Sequence, residues 1–174
     1  MSAKRANLLL TKEIRERIFP ILKNNGFDHF SGRKAWRRFN DKVYLFLISG
    51  VGAYFSTVTG YPSISVTSSI NIFYINFPDQ RKCRKYGKSD KPLPSGTECH
   101  LRFGLDKIDP QVEYCKNLES PIEANRRDVW WVDPGGNNIQ SVVEDLARVT
   151  EEYALTLVEK PCYQFREQAR QYQK

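Results

Sequence analysis

Apolar residues recur with a helical period near the start of the chain. Ile14, Ile18, Ile21 and Leu22 fall at i, i+4, i+7 and i+8, one stripe of a helix with Thr11 as its predicted N-cap. Pro20 interrupts the stripe and predicts a kink or a restarted last turn. Asn24-Asn25-Gly26 reads as a stop, with Gly26 free to turn left-handed and Phe27 folding back on the stripe. The period then drops to two. Ala35, Arg37 and Phe39 alternate with Trp36 and Arg38, and Val43–Val51 is almost continuously apolar. Asn40-Asp41 between these strands suits a hairpin turn. Thr57–Pro62 reads as a loop because of Gly60 and Pro62. Ser65–Phe77 is apolar on both parities, which predicts a long central strand partly covered on both faces.

A second pair of strands and a second helical pattern follow. Cys99–Leu105 sets Leu101, Phe103 and Leu105 against His100, Arg102 and Gly104, and Asp128–Val132 reads as a short strand holding Trp130-Trp131. Asn137 or Asn138 can cap a helix whose stripe is Ile139, Val142, Val143, Leu146, Val149, Tyr153 and Leu157. Glu144, Asp145, Arg148, Glu151 and Glu152 supply its wet face. Pro161 ends this helix or opens a second one carrying Cys162, Phe165 and Ala169. Helices flanking consecutive strands predict an α+β fold: an antiparallel sheet of about five strands packed by an N-terminal helix and one or two C-terminal helices.

Residues 78–96 fit neither period. Six basic residues meet two acidic ones, with Pro78, Pro92, Pro94, Gly87 and Gly96 breaking any regular element. The segment is predicted as an exposed basic loop. The chain has 174 residues, 40% of them hydrophobic and 13% aromatic, which predicts a single domain over 1–174 and excludes a disordered or fibrous chain. No uncharged apolar run approaches the roughly 20 residues that span a bilayer. Leu8–Leu10 behind Lys4 and Arg5 is too short for an export signal, so a cytoplasmic location without membrane contact is expected.

The formal charge of +7 is unevenly spread. Residues 1–42 hold 11 Lys/Arg and 4 Asp/Glu, residues 43–98 hold 6 and 3, and residues 99–174 hold 10 and 13. A basic first half can attract phosphate backbones or an acidic partner, or can simply be a solvated surface. Arg33, Lys34, Arg37 and Arg38 surround Trp36 and Phe39, the mixture a single-strand nucleic-acid surface uses. Strand alternation splits those charges between two faces.

Other chemistry is scarce. Cys83, Cys99, Cys115 and Cys162 include no close pair, so neither a zinc site nor any other metal or cofactor is predicted, and the thiols are expected to be reduced. Cys99-His100 are neighbours on a strand and point to opposite faces, so one cannot activate the other. Asp133-Pro134-Gly135-Gly136-Asn137 precedes a helix but lacks the Lys and Ser/Thr of a phosphate loop. Arg102 stands out in an apolar strand. If it shares a sheet with Trp130-Trp131, its guanidinium can stack on indole and pair with a carboxylate, inside a buried network or at a ligand.

Three segments in order resemble a bacterial family known only as domain of unknown function 4304. They are Leu22–Phe27 with Trp36-Arg37-Arg38-Phe39, then Glu98-Cys99-His100-Leu101-Arg102-Phe103-Gly104, and last Asp128-Val129-Trp130-Trp131 with the acidic helix ending near Tyr153-Ala154-Leu155. The stretches 80–91 and 106–127 depart from that pattern. The resemblance implies a small α+β domain and assigns no catalysis. Domains of this style occur among bacterial immunity and defence proteins, an analogy of fold and context. The expected function is therefore a binding domain without enzymatic activity, of immunity or defence type, recognising a protein through Arg102, Trp130, Trp131 and His100. The alternative is nucleic acid or another polyanion, held by Arg33, Lys34, Arg37 and Arg38 with Arg81, Lys82, Arg84 and Lys85 of the basic loop.

Overall fold

The computed structural model describes residues 2–76, 83–107 and 126–159. Helix α1 runs Ala3–Asn24 and begins two turns earlier than the apolar stripe predicts. Ser2, not Thr11, is its N-cap, with the Arg5 N–H donating to Ser2 Oγ. Thr11 lies inside the helix and returns its hydroxyl to the Asn7 carbonyl at 2.9 Å. Pro20 is accommodated on the exposed side. The end is a Schellman closure: Phe27 N–H reaches Leu22 O at 3.0 Å, Gly26 N–H reaches Lys23 O at 3.1 Å, and Gly26 has φ +80°.

Five antiparallel strands follow as a meander in the order β1-β2-β3-β4-β5. They are β1 (His29–Ser31), β2 (Lys34–Phe39), β3 (Lys42–Gly50), β4 (Val66–Tyr74) and β5 (Leu101–Leu105). The Asn40-Asp41 turn joins β2 to β3 as predicted, with Asn40 at φ 54° and Phe39 opposite Lys42. The protein is thus α+β with a five-stranded sheet, but one strand differs from the expected set. Asp128–Val132 is not a strand. Only Trp130 pairs, in an isolated bridge with Val66. The fifth strand is β1, whose three residues are too few to show a period.

Register fixes what each face does. Ala35, Phe46, Ile70 and Phe103 lie abreast, as do Tyr44, Ile72 and Leu101, and this face packs against the helices. Ala6, Leu10, Ile14, Ile18 and Leu22 of α1 are fully buried on it. They meet Ile139, Val142, Val143, Leu146 and Val149 of α3 (Ile139–Val149), and Arg17 ties the two helices by a 3.0 Å pair with Glu144. Each buried aliphatic side chain of this size contributes about 1.5–3 kcal/mol.

Beyond α3 the helix widens into a π turn, Thr150–Ala154, before α4 (Leu155–Glu159). The extra residue in that turn advances the stripe by one position. Tyr153, expected in the core, is therefore exposed, and Ala154, Leu155 and Val158 are buried instead. Thr57–Pro62 is also not all loop. Helix α2 spans Ala53–Thr59, and Thr57 and Thr59 return their hydroxyls to the carbonyls of Ala53 and Phe55. Hydroxyl and β-branched residues favour helices poorly, which hid this one. The helix expected after Pro161 lies outside the described residues.

Candidate functional site

The opposite face of the sheet divides into an apolar half and a polar half. Trp36, Val43, Leu45 and Phe73 form the apolar half, and Cys83, Leu93 and Cys99 close over it. The expected exposed loop at 78–96 is thus corrected: from Cys83 onward it is a cover with a buried underside. Trp36 Nε1 donates to the Pro94 carbonyl at 2.9 Å, and Lys91 pairs with Asp28. Glu98 gathers the cover, accepting from Ser95 N–H at 2.6 Å, Ser95 Oγ at 2.8 Å and Arg84 N–H at 3.0 Å. Burial alone would raise the Glu98 carboxyl, but these hydrogen bonds and the Arg84 charge hold it below its ordinary value. Burial, with the nearby Glu98 and Cys83, pushes the Cys99 thiol up to about 12, so it stays protonated and unreactive.

The polar half opens into a concavity of about 400 Å³. Ser49, Thr67, Arg102 and Gly104 supply its sheet side, the Gly50-Val51-Gly52 bend and Phe55 one wall, and Arg126, Asp128 and Val129 another. Strand alternation places Arg102 here. Leu101, Phe103 and Leu105 turn to the helices, so Arg102, opposite Asn71, turns away from them. Arg102 is exposed and, among the described residues, makes no hydrogen bond or ion pair. Arg126 differs. Its guanidinium lies 4.8 Å from the Phe55 ring centroid and grips Asp128 bidentately, Nε to Oδ1 at 2.9 Å and Nη2 to Oδ2 at 2.7 Å. That hydrogen-bonded pair holds the Asp128 carboxyl below its ordinary value.

The structure does not bring Arg102 and the tryptophan pair together. Trp130 pairs with Val66 and turns to the helix face, on the far side of the sheet from Arg102. It is fully buried, and its indole N–H donates to Asp145 Oδ2 at 2.9 Å while Arg148 donates to Asp145 Oδ1 at 2.7 Å. Trp131 is half-buried and packs with Val51, Phe55, Tyr61 and Val129, directly behind the concavity wall. His100 lies outside the lining. Its Nδ1 accepts from Tyr74 N–H at 3.0 Å, and its ring rests 5.0 Å from Phe73.

The basic set is also divided. Arg33 donates to Thr11 Oγ1 at 2.9 Å and to Asn7, and its burial lowers the guanidinium from its ordinary value. Arg37 donates to the Asn25 carbonyl at 2.9 Å and lies over Phe39. Both serve the helix side. Lys34 and Arg38 flank Trp36 on the other face, the side covered by the segment carrying exposed Arg84 and Lys85. Arg81 and Lys82 lie outside the described residues.

Ser49, Phe55, Thr67, Gly104, Arg126 and Asp128 were not singled out by sequence reasoning. Arg126-x-Asp128 was the available signal, since this spacing allows a local bidentate pair. The other residues come from segments far apart in the chain. Comparison with protein-family models, curated proteins and solved structures gives no match.

Proposed function

We propose that the chain is a non-catalytic binding domain of the cytoplasm, of the immunity or defence type, that recognises a protein through the concavity beside Arg102. One observation carries this reading. An arginine without a partner among the described residues opens onto a concavity whose wall continues into an exposed apolar helix face. Tyr54 and Val58, one turn apart on α2, are 84% and 62% exposed, and Phe55 between them lines the concavity. A polar pocket beside exposed aromatic surface fits the anchor-and-rim layout of protein interfaces. A small solute would not use Tyr54 or Val58.

The test is selection from a displayed library of random peptides. Enriched peptides should lose about tenfold to a hundredfold in affinity to Arg102→Ala, the cost of one charge-assisted hydrogen-bonded contact. They should also weaken on Tyr54→Ala. Peptides indifferent to both substitutions would defeat the proposal.

A second reading follows from the charges on the covered side of the sheet. Lys34 and Arg38 stand on the face over which Arg84 and Lys85 are carried, a layout that suits a polyanion. Under that reading a single-stranded oligonucleotide binds with an affinity that falls steeply with salt. Arg38→Ala weakens it and Arg102→Ala does not. A flat salt response removes it.

A further inference from the structure

We propose that the group seated beside Arg102 is one carboxylate, the side chain of a glutamate or aspartate on the partner. This rests on the protein-binding reading above and narrows it to a ligand chemistry.

Charge is the first argument. Two arginines, Arg102 and Arg126, and one acidic residue, Asp128, line the concavity. Asp128 is spent on Arg126 through both oxygens. Among the described residues that line the concavity, this leaves Arg102 as the cation with no carboxylate of its own. A monoanion balances it. A dianionic phosphate monoester would bring two negative charges toward Asp128 where a carboxylate brings one, and like charges in one site repel.

Donor chemistry agrees. A guanidinium fork matches a carboxylate through two parallel hydrogen bonds, the mode already displayed by Arg126 and Asp128 in the same wall. Ser49 and Thr67, half-buried in the lining, offer hydroxyls for the remaining lone pairs. Val51 and Phe55 give apolar wall for the methylene groups of an acidic side chain.

Room is the third argument. Gly104 lies two residues from Arg102 on the same side of β5, opposite Ser69. A Cβ built there meets nothing within 4 Å. A strand interior ordinarily favours a β-branched or aromatic residue, and glycine there often marks a place where a ligand approaches closely. Here it leaves the floor open beside Arg102.

The experiment follows the Arg102 Nε–Hε resonance by NMR during titration with N-acetyl-glutamate N-methylamide, its glutamine counterpart and inorganic phosphate. The glutamate probe should shift that resonance saturably, with the glutamine probe about tenfold weaker or more, as expected for loss of a charged acceptor. Gly104→Leu should abolish the response while leaving the amide spectrum of α1 and α3 unchanged. Should that variant fail to fold, Arg102→Gln in its place should remove binding of the glutamate probe, followed through the backbone amides of β5. Phosphate binding tighter than the glutamate probe overturns the carboxylate assignment and leaves the concavity as the binding site. Equal binding of the glutamate and glutamine probes overturns it too. Silence toward all probes overturns it, and the peptide selection then decides the site separately.

Discussion

Replacing Asp145 with alanine should be among the most costly single changes in this protein. The carboxylate is 3% exposed and sits on α3 beneath Trp130. It satisfies the only polar atom of a fully buried indole at 2.9 Å and accepts from Arg148 at 2.7 Å. Alanine leaves the indole N–H buried without an acceptor, a cost of about 1–3 kcal/mol, and removes a charge-assisted bond to Arg148. Together the loss should be about 2–4 kcal/mol, a large share of the roughly 5–15 kcal/mol that holds a domain folded. Asparagine keeps an acceptor for the indole and should lose only about half as much. Urea unfolding followed by circular dichroism measures it. With a slope of about 2 kcal/mol per molar, the midpoint of Asp145→Ala should fall by about 1–2 M at unchanged slope. Trp130→Phe combined with Asp145→Ala should cost less than the sum of the two, because the phenyl ring has no donor to orphan. A midpoint within the error of the unmodified protein, or strict additivity in the double variant, would refute the account of a satisfied core network.

Three further outcomes test other parts of the structure. Gly26→Ala should destabilise by about 1–2 kcal/mol in the same assay, since φ +80° penalises an L side chain and its Cβ would meet Arg37 Nε at 3.1 Å. Ile14→Ala, fully buried between α1 and the sheet, should cost about 2–5 kcal/mol. Stability should also fall on acidification below pH 4. Asp128 and Glu98 both titrate below their ordinary values of 3.8 and 4.5 when folded, so their contribution is complete above those values and is lost as pH drops through the folded ones. Asp128→Asn should shrink that loss, read as the urea midpoint at pH 7 minus that at pH 3.

The helix-facing half of the protein was legible because burial on one face imposes a period. The stripes at Ile14–Leu22 and Ile139–Val149 and the Leu101-Phe103-Leu105 alternation follow from that rule, and the Asn40-Asp41 turn from the tolerance of Asn for positive φ. It failed at Tyr153, where a π turn changes the period without any proline or glycine to announce it. The opposite face was hidden for another reason. Its cover is an irregular segment whose Cys83, Leu93 and Cys99 have no periodic spacing, and composition made it look solvated. The Trp130-Trp131 pair shows how adjacency misleads: one indole enters the core and the other backs the concavity.

The basic excess of the first 42 residues reads differently once the contacts are known. Arg33 joins the β1–β2 turn to the first turns of α1 through Asn7 and Thr11. Arg37 joins β2 to the last turn of α1 through the Asn25 carbonyl, where a cation also meets the negative end of the helix dipole. The two arginines thus anchor both ends of one helix to one hairpin, and a planar guanidinium with several fixed donors suits that task better than an ammonium. Charge that sequence alone assigns to a polyanion is therefore partly consumed inside the fold. Arg102 has no such employment among the described residues, although the acidic last third of the chain lies close to it in sequence. A cation without a carboxylate partner among the described residues, beside a floor cleared by Gly104, is the arrangement expected where the missing carboxylate arrives from another molecule.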